Sequence, residues 1–504
     1  MWKNKRLTHF LNLSIHYFDD DFNYVSLTAS FRKFIGRHQA PRIKKFIQSE
    51  LTKLGLTDKV RGAATDNGSD TKKACKDLFD RFSCFCHNLN LIVQSLLKFK
   101  YNDDVNSSSC SSDSENEVDH VNNSDYYDTE PNETDNELDD EDKYEIVDET
   151  SIKDLLKKIR KLIKLVKKSS VICSYVFKKI KELRIENVYN FISDFHVRWN
   201  STYFMLRRLL KLKTIANDLC SKSEQINGLT AIQQNKLADL QLINTEWSVI
   251  EDLAEILLPF YECTKILSGS NNCTLSNAFV GKKLLLDFLS NQFEDDSSYL
   301  KSLKAQIFPI AKQHLEDKID IKQKDITLLA AYLDPTTFNF LDDSELTQAE
   351  KYIITISSAN NNLLKDKTNQ AINNTKIDRQ QTINKFFKFN ILIKHSRFNE
   401  KENNQASTSS NLKLKTVKEE IASYKSEICN SELDLSSFWK KNCTQLPLLA
   451  SLVRKYLIIP ASSVSSESSF SVANFIQRKE RSALSSKSLK QAIILRNAAQ
   501  NEIF

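Results

Sequence analysis

The chain has 504 residues, 40% hydrophobic and 27% charged, an ordinary soluble composition with length for about three domains. No apolar run approaches the ~18 residues of a membrane span. The opening Met1-Trp2-Lys3-Asn4-Lys5-Arg6 has no secretory h-region, and the 10 cysteines include no CxxC pair. A membrane protein, a disulfide scaffold and a zinc-finger array are thus set aside, and the thiols read as reduced and intracellular.

The net charge of +6 conceals an asymmetry. Residues 101–150 hold 19 acidic residues and one lysine, a local −18, so the rest of the chain carries +24. So basic a body suits a polyanionic partner, most simply nucleic acid, or else a solvated lysine-rich surface. Only 7 glycines and 7 prolines point to a mainly helical protein.

In chain order, residues 8–16 and 24–31 read as a β-hairpin about a polar turn at 17–23. A helix over 41–56 follows, with Pro41 at its first position and Ile43, Phe46, Ile47, Leu51 and Leu54 at helical spacing. The stretch 61–97 is the most informative. A small apolar run ends on Asp66 and passes through Asn67-Gly68-Ser69-Asp70, which suits a strand, a turn and a capped helix. Residues 82–87 read as a second short strand and 88–97 as a helix. A carboxylate at the carboxyl end of a strand faces the crevice where open α/β sheets bind ligands, although Asp66 as a plain helix cap explains it equally. The order of elements describes an α/β layer with a mixed sheet. Cys84, Cys86 and His87 make a tight cluster, but with no second ligand pair in view no zinc site is expected.

The acidic segment 101–150 reads as a disordered insertion. Residues 152–183 form a basic amphipathic segment. Leu155, Ile159, Leu162 and Val166 share one face, and Lys157, Lys161 and Lys164 stand among the lysines of the other. That pattern serves a core-packing helix with a wet face, or one that contacts phosphates. Helical periodicity continues over 204–212, 235–264, 275–293, 299–315, 325–332 and 344–358, while Asn- and Ser-rich stretches at 357–374 and 399–411 read as mobile loops. The carboxyl end supplies helices at 446–457, 461–476 and 488–498. Leu446, Leu449, Leu452, Val453, Leu457, Leu489, Ile493 and Leu495 there offer an apolar surface for self-association, or equally a core.

Several motifs occur together and in order: TDNGSD at 65–70, CFCH at 84–87 running into LNLIVQSLL, RWNSTYFML at 198–206, EWSVIEDLAEILLPFYECT at 246–264, LDP at 333–335, DLSSFW at 434–439 and YLIIPASSVSSESSFSVA at 456–473. In this the chain resembles the hAT superfamily of DNA transposases and proteins derived from them, most closely those that begin with a BED-type zinc finger. The resemblance implies a ribonuclease-H-like α/β fold over residues 1–100, an all-helical insertion over 151–430 and, over 431–504, a return to that core with a dimerisation region. It implies a nuclear protein that binds DNA and pairs with itself, with no membrane and no small-molecule substrate. Active members use a DDE-type carboxylate set to hold Mg2+ or Mn2+. Carried over, Asp66 and Glu467 are the second and third acids, and His87, Arg198 and Trp199 face DNA, the indole stacking on an unpaired base.

The sequence also departs from the family pattern. The first family acid, two residues before a tryptophan matched here by Trp2, has no counterpart in this chain, nor has the finger. The family's Glu-Arg pair is Glu467-Ser468 here, and the glycine expected after its Phe-Ser pair is Asn474. The expected function is therefore a DNA-binding, dimerising protein without strand cleavage. Two alternatives stand beside it: an active cut-and-paste transposase seen here without its amino-terminal part, and a helical interaction scaffold or transcriptional regulator.

Overall fold

The computed structural model describes residues 2–3, 8–99, 151–186, 188–195, 199–269, 272–371, 416–429, 433–477 and 484–500. Arg198, the acidic segment 101–150 and the stretch 399–411 lie outside the described residues. The described chain is mostly helical with small sheets. It divides into two compact units, residues 1–327 with 455–504, and residues 328–454.

The first unit opens with strands β1 (Trp2–Lys3), β2 (His9–Phe18) and β3 (Tyr24–Phe34), paired antiparallel in that order. The hairpin turn is made by Asp19, whose carboxylate accepts the backbone N–H groups of Asp21 and Asn23 at 2.9 and 2.8 Å. Phe22 takes a positive φ of 62° there, with its ring buried. Period-two alternation gives the hairpin two apolar faces. Leu11 and Phe34 pack on α1 (Ala40–Lys53) and α2 (Ser69–Lys76), and Phe10 and Phe31 pack on α17 (Val464–Ile476) and α18 (Ser486–Gln500). The hairpin is therefore a layer between two pairs of helices.

Strands β4 (Gly62–Thr65) and β5 (Asp80–Ser83) form a parallel pair with Gly62 opposite Asp80 and Thr65 opposite Ser83. A Cβ at Gly62 would lie 3.0 Å from both Ile459 and Phe82, so this closely packed strand favours glycine. Among the described residues these strands make two separate sheets, one antiparallel and one parallel, rather than the single mixed sheet expected. The second strand also ends earlier than expected. Cys84 turns the chain at φ −64°, ψ 115°, and Phe85 begins helix α3 (Phe85–Leu96), which puts Cys86 and His87 in a first helical turn.

The helices α4 (Ile152–Lys168), α5 (Ser170–Glu182), α6 (Trp199–Lys211), α7 (Lys213–Ser221), α8 (Ala231–Asp239), α9 (Asn244–Leu267), α10 (Thr274–Ser290) and α11 (Ser298–Lys312) bury one continuous apolar core with α3. The basic segment 152–183 is two helices rather than one. Ser169 separates them, its hydroxyl accepting the Ile172 N–H at 3.4 Å as the cap of α5. The run 235–264 is likewise broken between α8 and α9. Inside the core, Lys304 is fully buried against Asp296 at 2.7 Å and lies over the Phe288 and Phe293 rings. Helix α12 (Ile321–Leu333) runs from the first unit into the second.

The second unit contains α13 (Asp343–Ala371), α14 (Val417–Cys429), α15 (Leu435–Asn442) and most of α16 (Pro447–Tyr456). Helix α13 continues through residues 357–371, which composition marked as part of a loop. Tyr424 stacks on Trp439 with centroids 5.6 Å apart and donates to the Tyr332 carbonyl at 2.6 Å. Glu420, fully buried, accepts the N–H groups of Leu448 and Leu449 at 3.1 and 3.0 Å and so caps α16 from another helix. No helix among the described residues is long and apolar enough to cross a membrane.

Candidate active-site crevice

Asp66 leaves the end of β4 half-buried, with Oδ1 accepting the Gly68 N–H at 3.3 Å. A Cβ on residue 68 would stand 3.3 Å from that oxygen, tight enough that glycine is favoured. The parallel register sets Arg81 beside this turn. Its Nε donates to Thr65 Oγ1 at 2.9 Å, and its Nη2 lies 2.8 Å from both the Asp66 carbonyl and Asn67 Oδ1. Asn67 in turn donates to Asn88 Oδ1 at 2.8 Å, and Asn88 donates to the His314 carbonyl at 3.3 Å. The loop that presents Asp66 is thus fixed by a guanidinium and two amides.

The distant carboxyl-terminal segment docks on the same place. Phe85 N–H donates to the Ala461 carbonyl at 2.9 Å, and Ser463 N–H approaches Cys84 Sγ at 3.3 Å. Ala461 N–H also donates to Thr274 Oγ1 at 2.9 Å, which ties the return to the helical core. Helix α17 starts directly after this junction, with Glu467 in its first turn, where the helix dipole favours a negative charge. The Glu467 side chain is exposed, and Ser463 Oγ donates to its Oε1 at 3.0 Å.

His87 links the two acids electrically. Burial lowers its pKa; the Asp66 and Glu467 carboxylates both act to raise it, and the Arg81 cation adds to the lowering. Both carboxylates therefore lie within electrostatic reach of one imidazole. Burial also raises the pKa of Cys84 and Cys86, with the Glu467 charge acting in the same sense.

The crevice presents two carboxylates of the hard-oxygen type that Mg2+ or Mn2+ takes. Among the described residues, however, no three His, Cys, Asp or Glu side chains come together to hold a metal ion. As placed, the residues do not fit a two-ion centre.

Comparison with known proteins finds two matching family models and several curated relatives. Residues 413–499 match the hAT family C-terminal dimerisation region, and residues 82–256 match the ZBED1 RNase-like helical domain. Two Zea mays proteins bearing the names AC transposase and AC9 transposase are each 20% identical across 98% of this chain, covering 55% and 56% of their own lengths. The chain is a hAT-family protein of transposase descent. It spans about half the length of these curated relatives. A Talaromyces stipitatus protein named as the transcriptional regulator tpeD is 22% identical over 59% of the chain and 32% of its own length.

Other residues singled out in this hAT protein sit less simply. Trp199 is only 7% exposed and meets Phe260 edge-on at 6.4 Å, so as placed its ring belongs to the helical core and has no open face for a base. Lys157, Lys161 and Lys164 are exposed on α4, with Lys157 held by Asp154 at 2.8 Å. Their neighbours Lys158 and Arg160 are engaged by Glu246 and Asp194 at 2.8 and 2.6 Å. Of the apolar residues expected to form a dimer surface, Leu446, Leu449, Leu452, Val453, Leu457, Leu489 and Ile493 are buried within the protomer. Leu495 alone of that set is open, at 56%. Helical spacing marks an apolar face without saying whether the same chain or a second copy covers it. Exposed apolar side chains of the matched dimerisation region include Phe475 as well as Leu495.

Sequence reasoning passed over Arg81, Asn67 and Asn88, which hold the Asp66 loop, and the Cys84–Ser463 junction. Arg81 was recoverable in principle, because a parallel partner strand ending at Ser83 sets it beside the residues that flank Asp66. The amide pair and the junction left no signal in the sequence.

Proposed function

We propose that this hAT protein binds DNA and self-associates through its carboxyl-terminal region, in the nucleus, without cutting DNA by its own described residues. The observation that carries the reading is the pairing of transposase relationship with charge: outside residues 101–150 the chain carries +24. The matched dimerisation region supports self-association. The silent reading is drawn from the described residues, among which no three metal-ligating side chains converge, while two-metal phosphoryl chemistry needs several oxygen ligands on one point. In this reading the crevice is a relic of a ribonuclease-H-like centre, with His87 and Arg81 as its surviving neighbours.

The test is titration of the chain onto a labelled DNA duplex across a salt series, with a strand-cleavage assay in Mg2+ and in Mn2+. Binding that weakens steeply with salt and no nicking in either metal are expected. Salt-indifferent or absent binding defeats the DNA reading, and metal-dependent nicking lost in Asp66→Asn defeats the silent one. A transcriptional regulator is the second reading, favoured by the name of the Talaromyces relative. It predicts the same DNA binding together with altered output from a reporter placed beside the bound sequence.

A further inference from the structure

A cleft of about 400 Å³ lies between α6 and α9 and is lined by none of the residues around Asp66. Phe204, Tyr261 and Leu258 line its apolar side, and Arg207, Arg208 and Lys211 its polar side. The rings form a tilted platform. Tyr203 stacks on Tyr261 with centroids 5.0 Å apart at 24°, and Phe204 stands at 76° to Tyr261, also at 5.0 Å. Phe204 is 42% exposed, an open aromatic surface on a helix that otherwise packs into the core.

Among the described residues, the cations beside the platform are oriented by neutral acceptors and paired with no carboxylate. Arg207 Nη1 donates to Tyr203 Oη at 3.3 Å, Arg208 Nη1 to the Asn190 carbonyl at 2.9 Å, and Lys211 Nζ to the Glu186 carbonyl at 3.0 Å. All these acceptors are neutral. The one carboxylate on the wall, Glu262, lies 3.5 Å from Lys265. Each guanidinium and ammonium keeps further N–H donors for an incoming anion.

We infer that this cleft holds an unpaired nucleic-acid strand, one base lying on Phe204 and Tyr261 and the adjoining phosphates meeting Arg207 and Lys211. Flat rings beside uncompensated cations match the alternation of base and phosphate along a single strand. A duplex keeps its base faces stacked inside and offers the rings nothing. The inference rests on the DNA-binding reading above and adds to it a second, strand-selective site, built from the turns of α6 that follow the buried Trp199.

The test uses the full chain and fluorescence anisotropy with a labelled oligothymidylate and, separately, a labelled duplex. Phe204→Ala, an exposed substitution that spares the core, is expected to weaken single-strand binding by about tenfold, the effect of losing one stacked base. Duplex affinity should stay within twofold and Phe204→Trp should restore the loss. The Arg207→Ala/Lys211→Ala pair is expected to lower the salt dependence of single-strand binding by about 0.7 in slope per phosphate released. Photocrosslinking of bromouridine-substituted oligonucleotide is expected to label Phe204 or Tyr261. Unchanged single-strand affinity in Phe204→Ala, or displacement of the strand by polyglutamate as readily as by unlabelled strand, overturns the cleft assignment and leaves the DNA-binding reading standing if the duplex still binds. Failure to bind either nucleic acid overturns both.

Discussion

Two glutamates in two parts of the molecule show what separates a structural acid from one with chemistry left over. Glu420, in the second unit, is fully buried and accepts the leading N–H groups of α16 from Leu448 and Leu449. Glu467, in the first, sits in the opening turn of α17 with its side chain in solvent and a hydroxyl on one oxygen. Both are placed at a helix start, where the dipole welcomes a negative charge. The difference is saturation. Glu420 accepts two backbone N–H groups at a buried helix end, whereas Glu467 accepts one hydroxyl and is otherwise open to solvent.

Removing each acid should separate them cleanly. Glu420→Ala leaves buried N–H groups unsatisfied and is expected to cost about 3 kcal/mol, read as a lowered urea midpoint. A shift below about 0.5 kcal/mol would erase the contrast. Arg81→Ala removes the donors that fix the Asp66 loop and is expected to cost about 2 kcal/mol, and to speed hydrogen exchange at residues 65–68 while leaving α9 untouched. Equal loss of protection in both places would mean that the loop and the core are one cooperative element.

Acid offers a third probe, through a glutamate of the saturated kind. Burial alone would raise the pKa of Glu50, but hydrogen bonds from Lys53, Ser30 and Arg32 outweigh it and hold the carboxyl down at about 2, against an ordinary 4.5. A folded value below the unfolded one means that its contribution is complete above pH ~4.5 and is lost as pH falls toward 2. Glu50→Gln should therefore flatten that part of the stability profile, and an unchanged profile from pH 5 to pH 2 would refute the assignment. The smallest effect is expected at the other pole: Glu467→Gln should leave stability within about 0.5 kcal/mol, as exposed substitutions do. A large loss would class Glu467 with Glu420.

How much of this was legible in the sequence varied with the physics involved. The hairpin and the amphipathic helices were readable because burial on one face imposes a period of two or 3.6, and the strand before Asp66 because a short apolar run led into a turn. The two motifs that carry Asp66 and Glu467 could be named from the sequence. Their approach to a common histidine is a matter of topology that spacing along the chain does not encode. Trp199 and the leucines of 446–457 stayed open in the sequence for one reason: an apolar side chain at helical spacing looks the same whether it meets its own core, a nucleobase or a second protomer. Cys84 was taken into a strand because an alternating run of Phe82, Cys84 and Cys86 suits a strand end as well as a helix start, and only the backbone turn at Cys84 decides between them.

The junction of Phe85 with Ala461 and of Cys84 with Ser463 carries a consequence for how the protein is made. Contacts that bridge so long a stretch of chain form late, since closing the intervening loop must be repaid by structure already in place. On the ribosome, the helices between them emerge and pack first, while Asp66 waits on an open face. Glu467 is made only after those helices, so the two acids come together late, when the segment that carries Glu467 docks on a body already packed.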